Sequence, residues 1–128
     1  MEHERGQQPH KKIDNSVDDV AFISTLPDNL IADYQVDSKR VFCTGISRGG
    51  IFSLYLAWQL SERIAAIAPV CASIPDAIAG DYSFKHPTPV LLINGTEDPL
   101  INYNGGAGKM NGVMLKAKLQ ICYLQKNW

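Results

Sequence analysis

No run of this sequence approaches the ~18 consecutive apolar residues of a membrane-crossing helix, so no transmembrane segment is expected. Charge of one sign is lacking as well: 12 Lys and Arg against 13 Asp and Glu leave a formal net charge of -1. That balance argues against a nucleic-acid partner. Together with 45% hydrophobic content it also argues against a disordered chain. Cysteine is scarce. Cys43, Cys71 and Cys122 are odd in number, widely spaced and without a C-x-x-C pair, which speaks against a disulfide framework or a zinc site. There are no internal repeats. The first residues, MEHERGQQPHKKI, lack the apolar stretch of a signal peptide.

What is present is one domain's worth of chain. The 128 residues can bury a core. Residues 1–14 are polar, aperiodic and carry Gly6 and Pro9, which predicts a flexible N-terminal arm ahead of a domain over 15–128. Ser16 with Asp19 three residues on has the form of a capping box. Val20, Ile23, Leu26, Leu30 and Ile31 then recur at helical spacing as far as about Tyr34. Pro27 should kink that helix or split it after Thr25. Arg40–Thr44 reads as a strand and Gly49–Leu60 as a buried helix. Ile64–Val70 and Pro89–Asn94 are two further strand candidates, with a loop from Cys71 to Thr88 between them and a glycine-rich loop after Gly95. A last helix is expected over Val113–Tyr123, with Leu115 and Leu119 as one apolar pair. Near-continuous apolar strands alternating with helices predict an α/β fold, three layers built on a parallel sheet.

The chemistry concentrates at Gly45-Ile46-Ser47-Arg48-Gly49, a G-x-S-x-G between a predicted strand and a predicted helix. A serine on so tight a turn needs small neighbours on both sides. Its hydroxyl then projects from the C-terminal end of the sheet, and the next backbone N–H points at a developing oxyanion. Ser47 is the candidate nucleophile and the Arg48 N–H the candidate oxyanion donor. A dinucleotide loop is the competing reading, because Thr44-Gly45-x-x-x-Gly49 also begins that motif. However, position 51 is Ile where a glycine is required, and Tyr82 and Lys85 are too close for the Tyr-x-x-x-Lys pair. Gly108-Lys109 fails as a P-loop end, since Tyr103 and Met110 stand where Gly and Ser/Thr are needed. Asn94-Gly95-Thr96 is a glycosylation sequon at a buried strand end, where a glycan has no room.

The second constellation is Pro89–Pro99, PVLLINGTEDP, in which a buried strand is followed by Glu97 and Asp98. Sites in open α/β sheets form at that edge, and an acid downstream of the serine follows the Ser…Asp…His chain order of hydrolases. Asp98 is the better candidate and Glu97 its neighbour. Both would be ordinary turn residues otherwise.

Asp18-Asp19-Val20, RVFCTGISRGG (40–50), RIAAIAPV (63–70) and PVLLINGTEDPLINYNGG (89–106) stand in this order. Together they resemble the polyhydroxybutyrate depolymerase and feruloyl esterase group of α/β-hydrolases, over roughly residues 16–115. The resemblance implies a partial α/β-hydrolase fold and serine esterase chemistry without metal or cofactor. It assigns Ser47 as nucleophile and Asp98 as triad acid, and it implies an ester substrate: a small ester, a polyester or an acylated polysaccharide. Members of the group are often secreted. Arg48 departs from the pattern, since the group often carries a smaller or amide residue there, and Pro27 interrupts the helix before the serine.

The base is missing from the order. After Asp98 the sequence has no histidine. His86 precedes the Pro89 strand and falls at the sheet edge opposite Ser47, about 20 Å away for six residues of strand. His3 and His10 lie on the polar arm. The upstream strand and the His-Gly type loop that would supply a second oxyanion donor are also absent. Three sheet strands are few for this fold, so unpartnered apolar faces and self-association are expected.

Overall fold

The computed structural model describes residues 17–74, 85–107 and 113–114. Helix α1 spans Asp19–Tyr34, strand β1 Phe42–Ile46, helix α2 Arg48–Gln59 and strand β2 Ala66–Val70. Short strands β3 (Gly106–Ala107) and β4 (Val113–Met114) pair antiparallel. The expected last helix therefore does not begin at Val113, and the rest of that segment lies outside the described residues.

β1 and β2 pair in parallel with Phe42 opposite Ala66 and Ile46 opposite Val70, so the expected Arg40–Thr44 strand is displaced two residues toward the serine. The Pro89–Asn94 segment lies on the other side of β2 but touches it only as isolated parallel bridges, Ile67 with Val90 and Val70 with Ile93. Pro69 explains the interruption. Ile67 donates to the Pro89 carbonyl (3.0 Å) and accepts from Leu91 N–H (3.0 Å), and Cys71 donates to the Ile93 carbonyl (2.9 Å). Between them Pro69 accepts from Ile93 N–H (3.1 Å) but has no N–H to return. One rung is missing from the middle of a strand-length run.

Residues alternate across a sheet, and among the described residues only one face is covered by helix. Leu54, Leu56 and Ala57 of α2 pack with Ile64, Ile67, Ala72 and Ile74 to form the core, and Val20 and Ile23 of α1 lean on it. On the other face Phe42, Ile46 and Leu91 are 64%, 66% and 63% exposed. The described residues thus supply the sheet and one helical layer of the α/β arrangement.

α1 runs unbroken through Pro27, so the helix is not split after Thr25. Its N-cap is Asp18, whose Oδ1 accepts from Ala21 N–H at 2.9 Å; Ser16 lies outside the described residues. Arg63, just beyond α2, holds both sides of the proline. Its Nη1 donates to Ser24 Oγ (2.9 Å) and its Nη2 pairs with the Asp28 carboxylate. This clamp fixes the turns on either side of the lost Pro27 N–H. Left-handed Gln35 (φ 53°) then ends the helix.

Pro27→Ala restores an N–H in the helix interior. A proline there costs about 3 kcal/mol relative to alanine, and the greater freedom of the unfolded chain takes back up to about 1 kcal/mol. A gain of roughly 2 kcal/mol is expected in urea unfolding, read as a higher midpoint at unchanged slope.

Candidate active site

β1 ends at Ile46 and α2 begins at Arg48, so a single residue, Ser47, makes the whole turn from strand to helix. It does so at φ 54°, ψ -116°, a region that strains any side-chain-bearing residue. Ser47 N–H donates to the Val70 carbonyl (2.9 Å) and its carbonyl accepts from Ile51 N–H (2.9 Å). The serine is therefore anchored to β2 on one side and to the first helical turn on the other. Its hydroxyl makes no capping bond, which leaves Oγ free for chemistry. The Arg48 N–H belongs to the helix's first turn, where backbone donors have no intrahelical acceptor. The Arg48 side chain is exposed.

The turn depends on two close approaches. A Cβ on Gly45 would lie 2.5 Å from the Gly49 carbonyl carbon and 2.6 Å from its oxygen. A Cβ on Gly50 would lie 2.6 Å from the Ala72 Cβ and 3.0 Å from the Gly45 and Val70 carbonyl oxygens. Gly49 is different, because nothing lies within 4 Å of where its Cβ would be. The expectation that both glycines of G-x-S-x-G are sterically required holds for Gly45 and is corrected at Gly49. The second indispensable glycine is Gly50, one residue past the motif, where α2 crosses the end of β2. The sequence signalled it only as the second member of a glycine pair.

Asp98 lies beyond the C-terminal end of the Pro89–Asn94 segment, on the same sheet edge as Ser47. Its Oδ1 accepts from the backbone N–H groups of Leu100 (2.8 Å) and Ile101 (2.9 Å). The Ile101 bond first and the Leu100 bond second hold the carboxyl below its ordinary value, and partial burial opposes them. Glu97 is exposed. Asn94 ties this segment to the end of β2: its Oδ1 accepts from Ala72 N–H and its Nδ2 donates to the Ala72 carbonyl, both at 3.0 Å. That amide pair went unseen in the sequence, where Asn94 drew attention only as a sequon.

His86 is at the opposite edge. Its N–H reaches Ser61 Oγ (3.4 Å) and its Nε2 lies 3.3 Å from the Glu62 carboxylate, both just past the C-terminal end of α2. His3 and His10 lie outside the described residues. Among the described residues no three His, Cys, Asp or Glu side chains cluster as a metal site, and no helix is long and apolar enough to cross a membrane.

A serine on a strained strand-to-helix turn at the C-terminal edge of a parallel sheet defines an α/β protein of the hydrolase kind. The profile of the phospholipase/carboxylesterase family matches residues 2–124, and the chain belongs to that family of α/β-hydrolases. It is 34% identical over 85 residues to the bifunctional acetylxylan esterase/xylanase XynS20E of Neocallimastix patriciarum, covering 66% of this chain and 12% of that one. It is 35% identical over 95 residues to feruloyl esterase B of Piromyces equi, covering 73% and 18%. It is 32% identical over 94 residues to a probable feruloyl esterase C of Aspergillus clavatus, covering 73% and 34%. The chain thus spans between an eighth and about a third of the length of these relatives. No solved structure matches it significantly.

Two outcomes are expected. Gly45→Ala and Gly50→Ala each overpack the turn and cost about 1–3 kcal/mol in urea unfolding, whereas Gly49→Ala is neutral or gains up to about 1 kcal/mol through helix propensity. Because the folded-state midpoint of Asp98 is lowered, its contribution to stability is complete above the midpoint of an unfolded aspartate. It is lost as pH falls through the lowered folded midpoint. Urea unfolding at stepped acid pH should therefore show the gap between the wild-type chain and Asp98→Asn closing across that interval.

Proposed function

We propose that this chain carries the nucleophile and the acid of a serine carboxylic-ester hydrolase. Ser47 attacks the ester carbonyl, the Arg48 N–H donates to the developing oxyanion, and Asp98 is the carboxylate that orients the base. The observation that supports this best is the left-handed Ser47 (φ 54°) between β1 and α2 with its hydroxyl free of a capping bond. The reaction would run through an acyl-Ser47 intermediate and then through water attack. The relatives' names point to feruloyl esters or acetylated xylan, and the sequence blocks leave a polyester as the other substrate class. The base is not among the residues after Asp98, and His86 is held at the far edge of the sheet. Removal of one triad member can cost on the order of 10⁶ in kcat, so turnover by this chain alone should be very low.

A second reading is favoured by the open sheet face with Phe42, Ile46, Leu91 and Ile93 exposed. In it the chain is a non-catalytic module that associates through that face. Fluorophosphonate labelling separates the two, because an activated serine reacts and an ordinary surface serine does not.

The decisive measurement is p-nitrophenyl acetate hydrolysis by the wild-type chain and by Ser47→Ala across a series of added imidazole concentrations. The expected result is almost no serine-dependent rate without imidazole and an increment, absent from Ser47→Ala, that grows as imidazole replaces the base. Equal rates for the two proteins at every concentration would remove the esterase reading. A large serine-dependent rate without imidazole would place a base within this chain.

A further inference from the structure

A cleft of about 940 Å³ opens at the edge of the sheet opposite Ser47, within the range of about 300–1,000 Å³ typical of small-molecule sites. It lies between α1, the loop that leads into β1 and the turn that follows α2, and neither Ser47 nor Asp98 lines it. The space exists because α1 buries none of its side chains fully. Arg63 joins that helix to the end of α2 through a long side chain, bonded to Ser24 (2.9 Å) and Asp28, rather than through packed apolar groups. Leu26 and Leu30 of α1 are left 40% and 42% exposed. With Ile31, Val41, Leu60 and Ile64 they form one apolar wall of the cleft. Apart from Phe42 the apolar lining is aliphatic, which suits an alkyl chain better than a stacked ring.

The charges around this wall do not cancel. Three cations, Lys39, Arg40 and Arg63, line the cleft against two acids, Asp28 and Glu62. Arg63 is matched by Asp28, and Glu62 faces His86 Nε2 at 3.3 Å. Lys39 and Arg40 are exposed and form no ion pair among the described residues. The acid nearest them in sequence, Asp37, is tied to their backbone: its carboxylate accepts the Lys39 N–H (2.9 Å) and its carbonyl the Arg40 N–H (3.0 Å). That turn sets the two cations side by side at the mouth of an aliphatic cleft, in a chain whose formal net charge is -1. We propose that the cleft binds a medium-chain alkyl carboxylate, its chain against the aliphatic wall and its carboxylate held by Lys39 and Arg40. A carboxylate has acceptors enough for both cations, whereas a neutral chain would leave them without a partner. The inference uses none of the residues of the esterase reading and stands apart from it.

The test titrates octanoate and octan-1-ol, both below their aggregation limits, into the wild-type chain while backbone amide signals are followed by ¹H–¹⁵N NMR. Octanoate should give saturable shifts at Leu30, Lys39, Arg40 and Ile64, and octanol should bind roughly tenfold more weakly. The double variant Lys39→Gln with Arg40→Gln changes only surface side chains. It should bring octanoate down to the affinity of octanol and remove the salt dependence of its binding. Leu30→Ser should weaken both ligands alike. Equal affinities for the two ligands in the wild-type chain, or an octanoate affinity that the double variant leaves untouched, would overturn the proposal. Octanoate shifts confined to Ile46, Leu91 and Ile93 would place the alkyl chain on the open sheet face and overturn it too. Cleft signals that move with protein concentration before any ligand is added would make the occupant a second copy of this chain, with the same consequence.

Discussion

The site depends on how closely the start of α2 approaches the ends of β1 and β2. A helix can follow a strand after a single turn residue only if the two backbones nearly touch, and here they do so over Gly45 and Gly50. That contact forces Ser47 into a left-handed conformation and places its N–H against the Val70 carbonyl. It also brings the unsatisfied N–H groups of the helix start to the edge from which the serine projects. The strain is held because the surroundings over-determine it. Ser53, almost fully buried, returns a hydrogen bond to the Gly49 carbonyl (2.8 Å) and lies 3.5 Å from the Cys43 thiol, which fastens the first turns of α2 down onto β1.

A parallel sheet is normally covered on both faces; in the described residues one face is covered and the other is open. The alternation in β1 makes the division sharp. Cys43 looks toward α2, while Phe42 and Ile46 look away into solvent. Burying three large side chains of this kind is worth about 1.5–3 kcal/mol each, a substantial share of the 5–15 kcal/mol by which domains are stable. The relatives are three to eight times longer than the matched segments, and the exposed apolar face is the surface a further layer of such a fold would occupy.

The strand–serine–helix order was legible because it is written in local residue types: a β-rich run, small residues around the serine, then an evenly apolar stretch. The place of Asp98 at that edge was legible because strand and acid are adjacent in sequence, and position relative to a strand end already fixes the sheet edge. What was not legible depends on contacts from elsewhere in the chain. Pro27 looked like a break because the clamp that spans it comes from Arg63, 36 residues downstream. Pro89–Asn94 looked like a full strand because its missing rung belongs to Pro69 in the neighbouring strand. Gly49 took the steric role that falls to Gly50 because a motif records spacing along the chain, whereas the clash is with Ala72 across it. The tie that Asn94 makes to Ala72 is likewise cross-strand and leaves no periodic trace.

The same geometry decides where a base can and cannot come from. Parallel strands point every C-terminal end to one edge, so Ser47, Cys71 and Asp98 converge although 51 residues separate the first from the last. His86 enters the sheet's third segment from its N-terminal side and is held beside Glu62. Moving it to the serine would require pulling the Val90 and Ile93 bridges apart and threading the segment the length of the sheet. On the proposed assignment, an imidazole taking the Ser47 proton would approach from outside that edge, where the Asp98 carboxylate, fixed by the donors on Oδ1, would receive its second N–H. In that reading the nucleophile is held against the end of β2 through the Val70 carbonyl, and the acid is held by the backbone donors of its own turn.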